Sequence, residues 1–202
     1  MENNYEYQKE ANIACLLEDT EYLERKEALF KVVLEFEKAK INWGLACSMN
    51  LFLRGLVDEF HDLDLIVDNE DVTLIMEVME NIGAVLMATG GNGFCESNVY
   101  MHYQLDRVDI DIIAGFRVVT FGTKFLYNFS KEEIEFIEID TINVPLIPIE
   151  ALYLLYCMME GWQPKRRYKR LLISEYLITE KIKFSMILER SLEEKLPSWI
   201  KR

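Results

Sequence analysis

Basic residues are scarce in this chain. Its 202 residues carry 22 Lys and Arg against 35 Asp and Glu, a formal net charge of −13. A general nucleic-acid binder needs the opposite sign, because phosphate contacts dominate such affinity. No nucleic-acid partner is expected. The acidity suits metal ions or cationic small molecules, or is simply an acidic surface. Histidine and cysteine are also few. The two histidines, His61 and His102, and the four cysteines, at 15, 47, 95 and 157, form no CxxC pair and no Cys/His cluster. Neither a disulfide framework nor a zinc site is expected, and a reducing cytoplasm is the natural setting. Long apolar runs are missing. The longest, 151–159, lies between Glu150 and Glu160, too short for a membrane span. The first twenty residues are polar and acidic, unlike a secretory signal. Four prolines and nine glycines serve as local punctuation, with no linker and no internal repeat.

What is present is core material. Half of the residues are hydrophobic, and mean hydropathy is near zero. Residues 21–40 read as an amphipathic helix, with Leu29, Val32, Val33 and Phe36 on one stripe. A short helix is open to the residues before it. Next come a short strand at 41–46, a turn "CSMN" and a short helix "LFLRGL" ending near Gly55. Residues 61–67 alternate as a strand, with Leu63, Leu65 and Val67 opposite Asp62, Asp64 and Ile66. "DNEDVTLIMEVMENIG" carries helix start, face and stop signals. A strand at 84–89 leads to the turn "GGNG". Residues 99–105 and "RVDIDIIAG" read as paired strands around Asp106-Arg107, and 116–129 and 135–147 as further antiparallel pairing. Three helices follow Pro148. The expected fold class is α/β (α+β): residues 1–147 as a mixed sheet with helices on one side, and 148–202 as a C-terminal helical segment.

Two acidic strands stand out. Asp62 and Asp64 share one side of a strand, roughly 6–7 Å apart along the backbone. Two such carboxylates repel, and one pKa rises unless a cation intervenes. Mg²⁺ suits them, since it takes carboxylates together with phosphate oxygens and water. A solvent-facing strand edge would also display D-x-D. "VDIDII" repeats the pattern with Asp109 and Asp111. The two strands either converge on a metal site or both face solvent. Upstream, "LACSMNLFLRGL" places Ser48 at a turn, thirteen residues before Asp62. Its hydroxyl can cap the following helix or receive a phosphate.

These residues carry a resemblance. "LACSMNLFLRGLVDEFHDLDLIV" resembles the signature of the nucleotidyltransferase superfamily that includes DNA polymerase β and the antibiotic nucleotidyltransferases. That signature is Gly-Gly or Gly-Ser, a gap of about ten residues, then Asp-x-Asp between apolar residues, with a third carboxylate on a later strand. The match covers roughly residues 41–114. "FHDLDL" is similar to the HD-x-D form of lincosamide and aminoglycoside nucleotidyltransferases. The resemblance implies metal-dependent transfer of a nucleoside monophosphate from an NTP to a hydroxyl, with release of pyrophosphate. It implies Mg²⁺ or Mn²⁺ on Asp62, Asp64 and Asp111, with Asp109 as a second ligand, a base or a bystander. It places Cys47 and Ser48 at the nucleotide, Cys47 standing where the superfamily has glycine.

The cluster "PKRRYKR" offers Lys165, Arg166, Arg167, Lys169 and Arg170 for the phosphates, with Lys169 and Arg166 the first choices. A solvated helix face is the alternative. Arg54 reads as a surface residue or a phosphate ligand, and His61 as a local hydrogen-bonding neighbour of the aspartates. The expected partners are an NTP and a hydroxyl-bearing small molecule, with no membrane. A homodimer is compatible with these features and not determined by them. A protein hydroxyl, as in toxin-modifying relatives, is the alternative acceptor. A non-catalytic nucleotide- or partner-binding relative is the alternative class.

Overall fold

The structure, a computed structural model, describes residues 4–90, 97–120, 123–127, 129–159 and 166–179. Two helices open the chain, α1 (Asn4–Glu18) and α2 (Leu23–Ala39). The expected stripe of α2 is realised: Leu29, Val32, Val33 and Phe36 are all buried. Each such side chain contributes roughly 2 kcal/mol on leaving water. Then come β1 (Trp43–Leu45), α3 (Cys47–Leu53), β2 (Leu63–Val67), α4 (Val72–Asn81) and β3 (Val85–Thr89). The hairpin β4 (Val99–Leu105) and β5 (Val108–Ala114) turns at Asp106-Arg107, with Asp106 at φ 56. It is followed by β6 (Arg117–Thr120), β7 (Thr123–Leu126), β8 (Glu135–Ile139) and β9 (Ile142–Leu146). The helices α5 (Ile149–Met159) and α6 (Arg166–Thr179) complete the described chain. Most of the "GGNG" turn, Lys165 and the third expected C-terminal helix lie outside the described residues.

Seven strands form one mixed sheet in the order β3-β4-β5-β2-β1-β9-β8. The pairs β2–β5 and β1–β9 are parallel and the others antiparallel. The strands β6 and β7 pair separately. One sheet face presents Leu63, Leu65, Val67, Ile110 and Ile112 to a core shared with α2 and α4. The opposite face is divided along its strands. Ile66 and Ile113 enter a second core with Leu152, Leu155 and Tyr156 of α5 and Ile173 of α6. The aspartates precede those isoleucines on the same face.

Helices α2 and α4 pack on one face, as expected of residues 1–147, and α5 of the C-terminal segment, apolar around its whole circumference with nine of its eleven residues buried, covers part of the other. One expectation is corrected here. The helix after β1 begins at Cys47, without an intervening turn. Its N-cap is Ala46, and Ser48 sits in the first helical turn without capping it.

Helix α1 is tied to the end of α3. The buried Asn12 amide donates to the carbonyls of Phe52 (2.7 Å) and Val57 (2.9 Å). Gly55, at φ 72, allows this approach: a Cβ there would lie 2.5 Å from the Tyr5 carbonyl oxygen.

Candidate active site

Parallel pairing of β2 with β5 sets Asp64 directly beside Asp111. Adjacent partners in register point to the same face, and Asp62, two residues before Asp64, joins them. One oxygen from each of Asp62, Asp64 and Asp111 falls within 4.8 Å of the others, and all three residues are half-buried. The convergence expected of the two acidic strands is therefore present. Asp109 stands outside the cluster. It is exposed, accepts a 3.4 Å hydrogen bond from Gln104 and lies 3.7 Å from His102 Nε2.

Helix α3 closes one side. The Ser48 hydroxyl donates to Asp62 Oδ1 over 3.4 Å. Cys47 adopts φ 47, a left-handed conformation in which glycine is unstrained and other residues are not. Its thiol donates to Asp64. Burial first, and then the charge of Asp64, raise the Cys47 pKa well above its ordinary value, so the group stays a neutral donor. Asp64 responds to its neighbours. Burial, then the charges of Asp62 and Asp111, push its carboxyl up to about 7.

Helix α6 supplies the cations. Arg166 and Lys169 line a cavity of about 960 Å³ together with the three aspartates, Cys47 and Ser48. The Arg166 guanidinium lies over the Tyr156 ring, 5.5 Å from its centroid. Burial, reinforced by the charge of Arg166, lowers the Lys169 pKa. Arg170 turns instead to Tyr153, and Arg167 is exposed. Another part of the cavity lining is acidic and aromatic, with Glu21, Asp58 and Glu59 beside Tyr22 and Phe60. Tyr22 stacks on Phe60 at 5.2 Å. His61 lines the same rim, its side chain 4.0 Å from Glu59.

Arg54 is neither a surface residue nor part of this cavity. It is half-buried, pairs with Glu135 at 2.8 Å and donates to Asn50 Oδ1 at 2.8 Å. The sequence reading also missed the environment of Asp111. His102 Nδ1 lies 2.7 Å from Asp111 Oδ1, and Tyr100 hydrogen-bonds the same carboxylate. Burial and then the Asp111 charge push the Tyr100 phenol up to about 12. The signal was available. Leu105 pairs with Val108 across the two-residue turn, so three steps along each strand set His102 opposite Asp111.

The donor set suits a hard divalent cation: three carboxylates, close enough to repel each other, partly shielded from water.

Solved structures share this arrangement of elements. A Thermotoga maritima protein provisionally assigned as a nucleotidyltransferase superimposes with a TM-score of 0.58 at 20% identity, covering 77% of this chain and 94% of that one. ANT(2″)-Ia, solved in complex with adenylyl-2″-tobramycin, superimposes with a TM-score of 0.55 at 12% identity, covering 77% and 90%. The solution structure of ANT(2″)-Ia, described as an antibiotic-resistance factor, gives 0.55 at 14% identity, covering 75% and 83%. The chain has a nucleotidyltransferase-like fold. At these identities the likeness to the known nucleotidyltransferases is one of fold alone. No protein-family model matches the chain, and no curated protein matches it. No helix among the described residues is long and apolar enough to cross a membrane.

Proposed function

We propose that the chain is a Mg²⁺- or Mn²⁺-dependent nucleotidyltransferase. It moves a nucleoside monophosphate from an NTP to a hydroxyl of a small acceptor and releases pyrophosphate. The observation that carries this reading is the convergence of Asp62, Asp64 and Asp111 within 4.8 Å, in a cavity that also holds Arg166 and Lys169. When bound, the divalent cation supplies positive charge for the phosphate oxygens and for the attacking hydroxyl. Asp62 and Asp64 hold the cation. Asp111, paired in register with His102 of β4, would complete the set. Asp109 takes no part as a ligand in this reading. Ser48 and the first turn of α3 orient the triphosphate. Arg166 and Lys169 take the charge that builds on the departing pyrophosphate. The C-terminal helical segment thus serves the α/β body by presenting these two cations. The acidic and aromatic rim favours an acceptor that carries amines as well as hydroxyls.

The second reading is a relative that binds nucleotide without turnover. Cys47 favours it, since Cβ and thiol stand where glycine would leave room for a triphosphate. One experiment separates the two. NTP binding is measured by calorimetry with Mg²⁺, and pyrophosphate release is followed over a panel of aminated and neutral hydroxyl compounds. The enzyme reading expects release, lost by at least 10³-fold in D64A. Binding without release over the whole panel selects the second reading. Undiminished release by D64A sinks the assignment of the site.

A further inference from the structure

Strand β4 lays a polar row beside Asp111. Tyr100, His102 and Gln104 occupy the same sheet face as the aspartates and stand opposite Ile113, Asp111 and Asp109. His102 Nδ1 is 2.7 Å from Asp111 Oδ1. An ionised carboxylate only accepts, so Nδ1 donates. The Tyr100 hydroxyl adds a second hydrogen bond to Asp111. The other His102 nitrogen lies 3.7 Å from Asp109 Oδ1, beyond hydrogen-bond distance. The opposite faces of β4 and β5 pack in the core through Met101, Tyr103, Ile110 and Ile112, so the pairing of the strands does not rest on this row alone.

Asp111 needs holding. Asp62 and Asp64 repel its carboxylate, and an unheld aspartate has other staggered rotamers to turn into. We propose that His102, assisted by Tyr100, is a positioning residue that fixes Asp111 Oδ1 and thereby aims the other oxygen at the cation shared with Asp62 and Asp64. The inference rests on the metal-site reading above. Such outer contacts are worth about 10–100-fold in metal affinity.

The test is Mn²⁺ binding to the full chain, followed by electron paramagnetic resonance, with thermal unfolding recorded alongside. D64A is expected to lose binding. H102A is expected to bind about 10-fold more weakly, and Y100F about 3-fold more weakly. H102N places an amide nitrogen where Nδ1 stood and is expected to stay within about 3-fold of the unmodified chain. Unchanged Mn²⁺ affinity in H102A, with D64A inactive in binding, overturns the positioning role and leaves the metal site standing. Equal losses in H102N and H102A also overturn it, since packing and not the donor would then matter. No Mn²⁺ binding by the unmodified chain at millimolar concentration overturns both the site and the inference. Y100F keeps the ring and its packing, so it decides the matter if H102A does not fold: unchanged affinity there refutes the proposal.

Discussion

Asp64 stands between two other carboxylates, and this controls its response to pH. Its carboxyl is raised from 3.8 to about 7 by burial and by Asp62 and Asp111. Below about pH 4 the folded and unfolded chains both hold this proton. Between about pH 4 and 7 only the folded chain holds it, so stability falls as pH rises through that window. Above pH 7 the loss is complete. A divalent cation offsets it, freely at pH 8 but at pH 5 only by displacing the proton. The melting temperature of the metal-free chain is therefore expected to decline from pH 5 to pH 8 through this group. Added Mg²⁺ should raise it more at pH 8 than at pH 5. D64N should flatten both effects in a thermal-shift assay; a Mg²⁺ shift that is equal at both pH values and survives in D64N contradicts the account. Cys47 poses a different residue-scale question. At φ 47 a non-glycine residue is strained by roughly 1–2 kcal/mol. C47G is expected to keep or raise the unfolding midpoint and to tighten NTP binding several-fold in calorimetry. Lower stability with unchanged affinity would instead make the thiol a structural donor to Asp64.

At the scale of elements, what the sequence made legible was local. Alternation identified β2 and β5 because one face of each is apolar and the aspartates interrupt the other. The Asp106-Arg107 turn made the β4–β5 hairpin legible, and with it the register that brings His102 to Asp111. The parallel pairing of β2 with β5 is a different matter. It joins segments more than forty residues apart, and no local pattern reports which distant strand lies alongside. The start of α3 was misread for a backbone reason. Cys47 turns the chain through a left-handed conformation, and no periodicity reports that. Arg54 was misread because its partners are remote: Glu135 lies on β8, and the Ile147 carbonyl reached by Asn50 follows β9. A half-buried, paired cation cannot be recognised before its anion is placed beside it. Asn12 is the same case, since its two acceptors are forty or more residues away. Coverage of the second sheet face was legible in principle. "IEALYLLYCMM" is apolar on every side, which is the pattern of a helix buried all round.

At the scale of the whole molecule, the charge is uneven in a useful way. The chain carries −13, yet α6 brings Arg166 and Lys169 to one wall of the cavity. The same cavity is lined by Glu21, Asp58 and Glu59. A polyanionic nucleotide and a polycationic acceptor then each find complementary charge in one cavity, which also holds the three aspartates. Rim charges act through water, so their attraction is modest singly and is screened by salt. Together they steer approach more than they strengthen contact. Replacing all three, as E21Q, D58N and E59Q in one variant, is expected to raise the KM for an aminated acceptor by about 10-fold and to flatten its salt dependence, since about 1.4 kcal/mol is tenfold. The affinity for NTP should stay within about 2-fold or improve, because the removed charges repel it. The KM for a neutral hydroxyl acceptor should not move. Steady-state kinetics at low and high salt checks all three. An equal rise for aminated and neutral acceptors would show that the rim shapes the cavity without selecting charge.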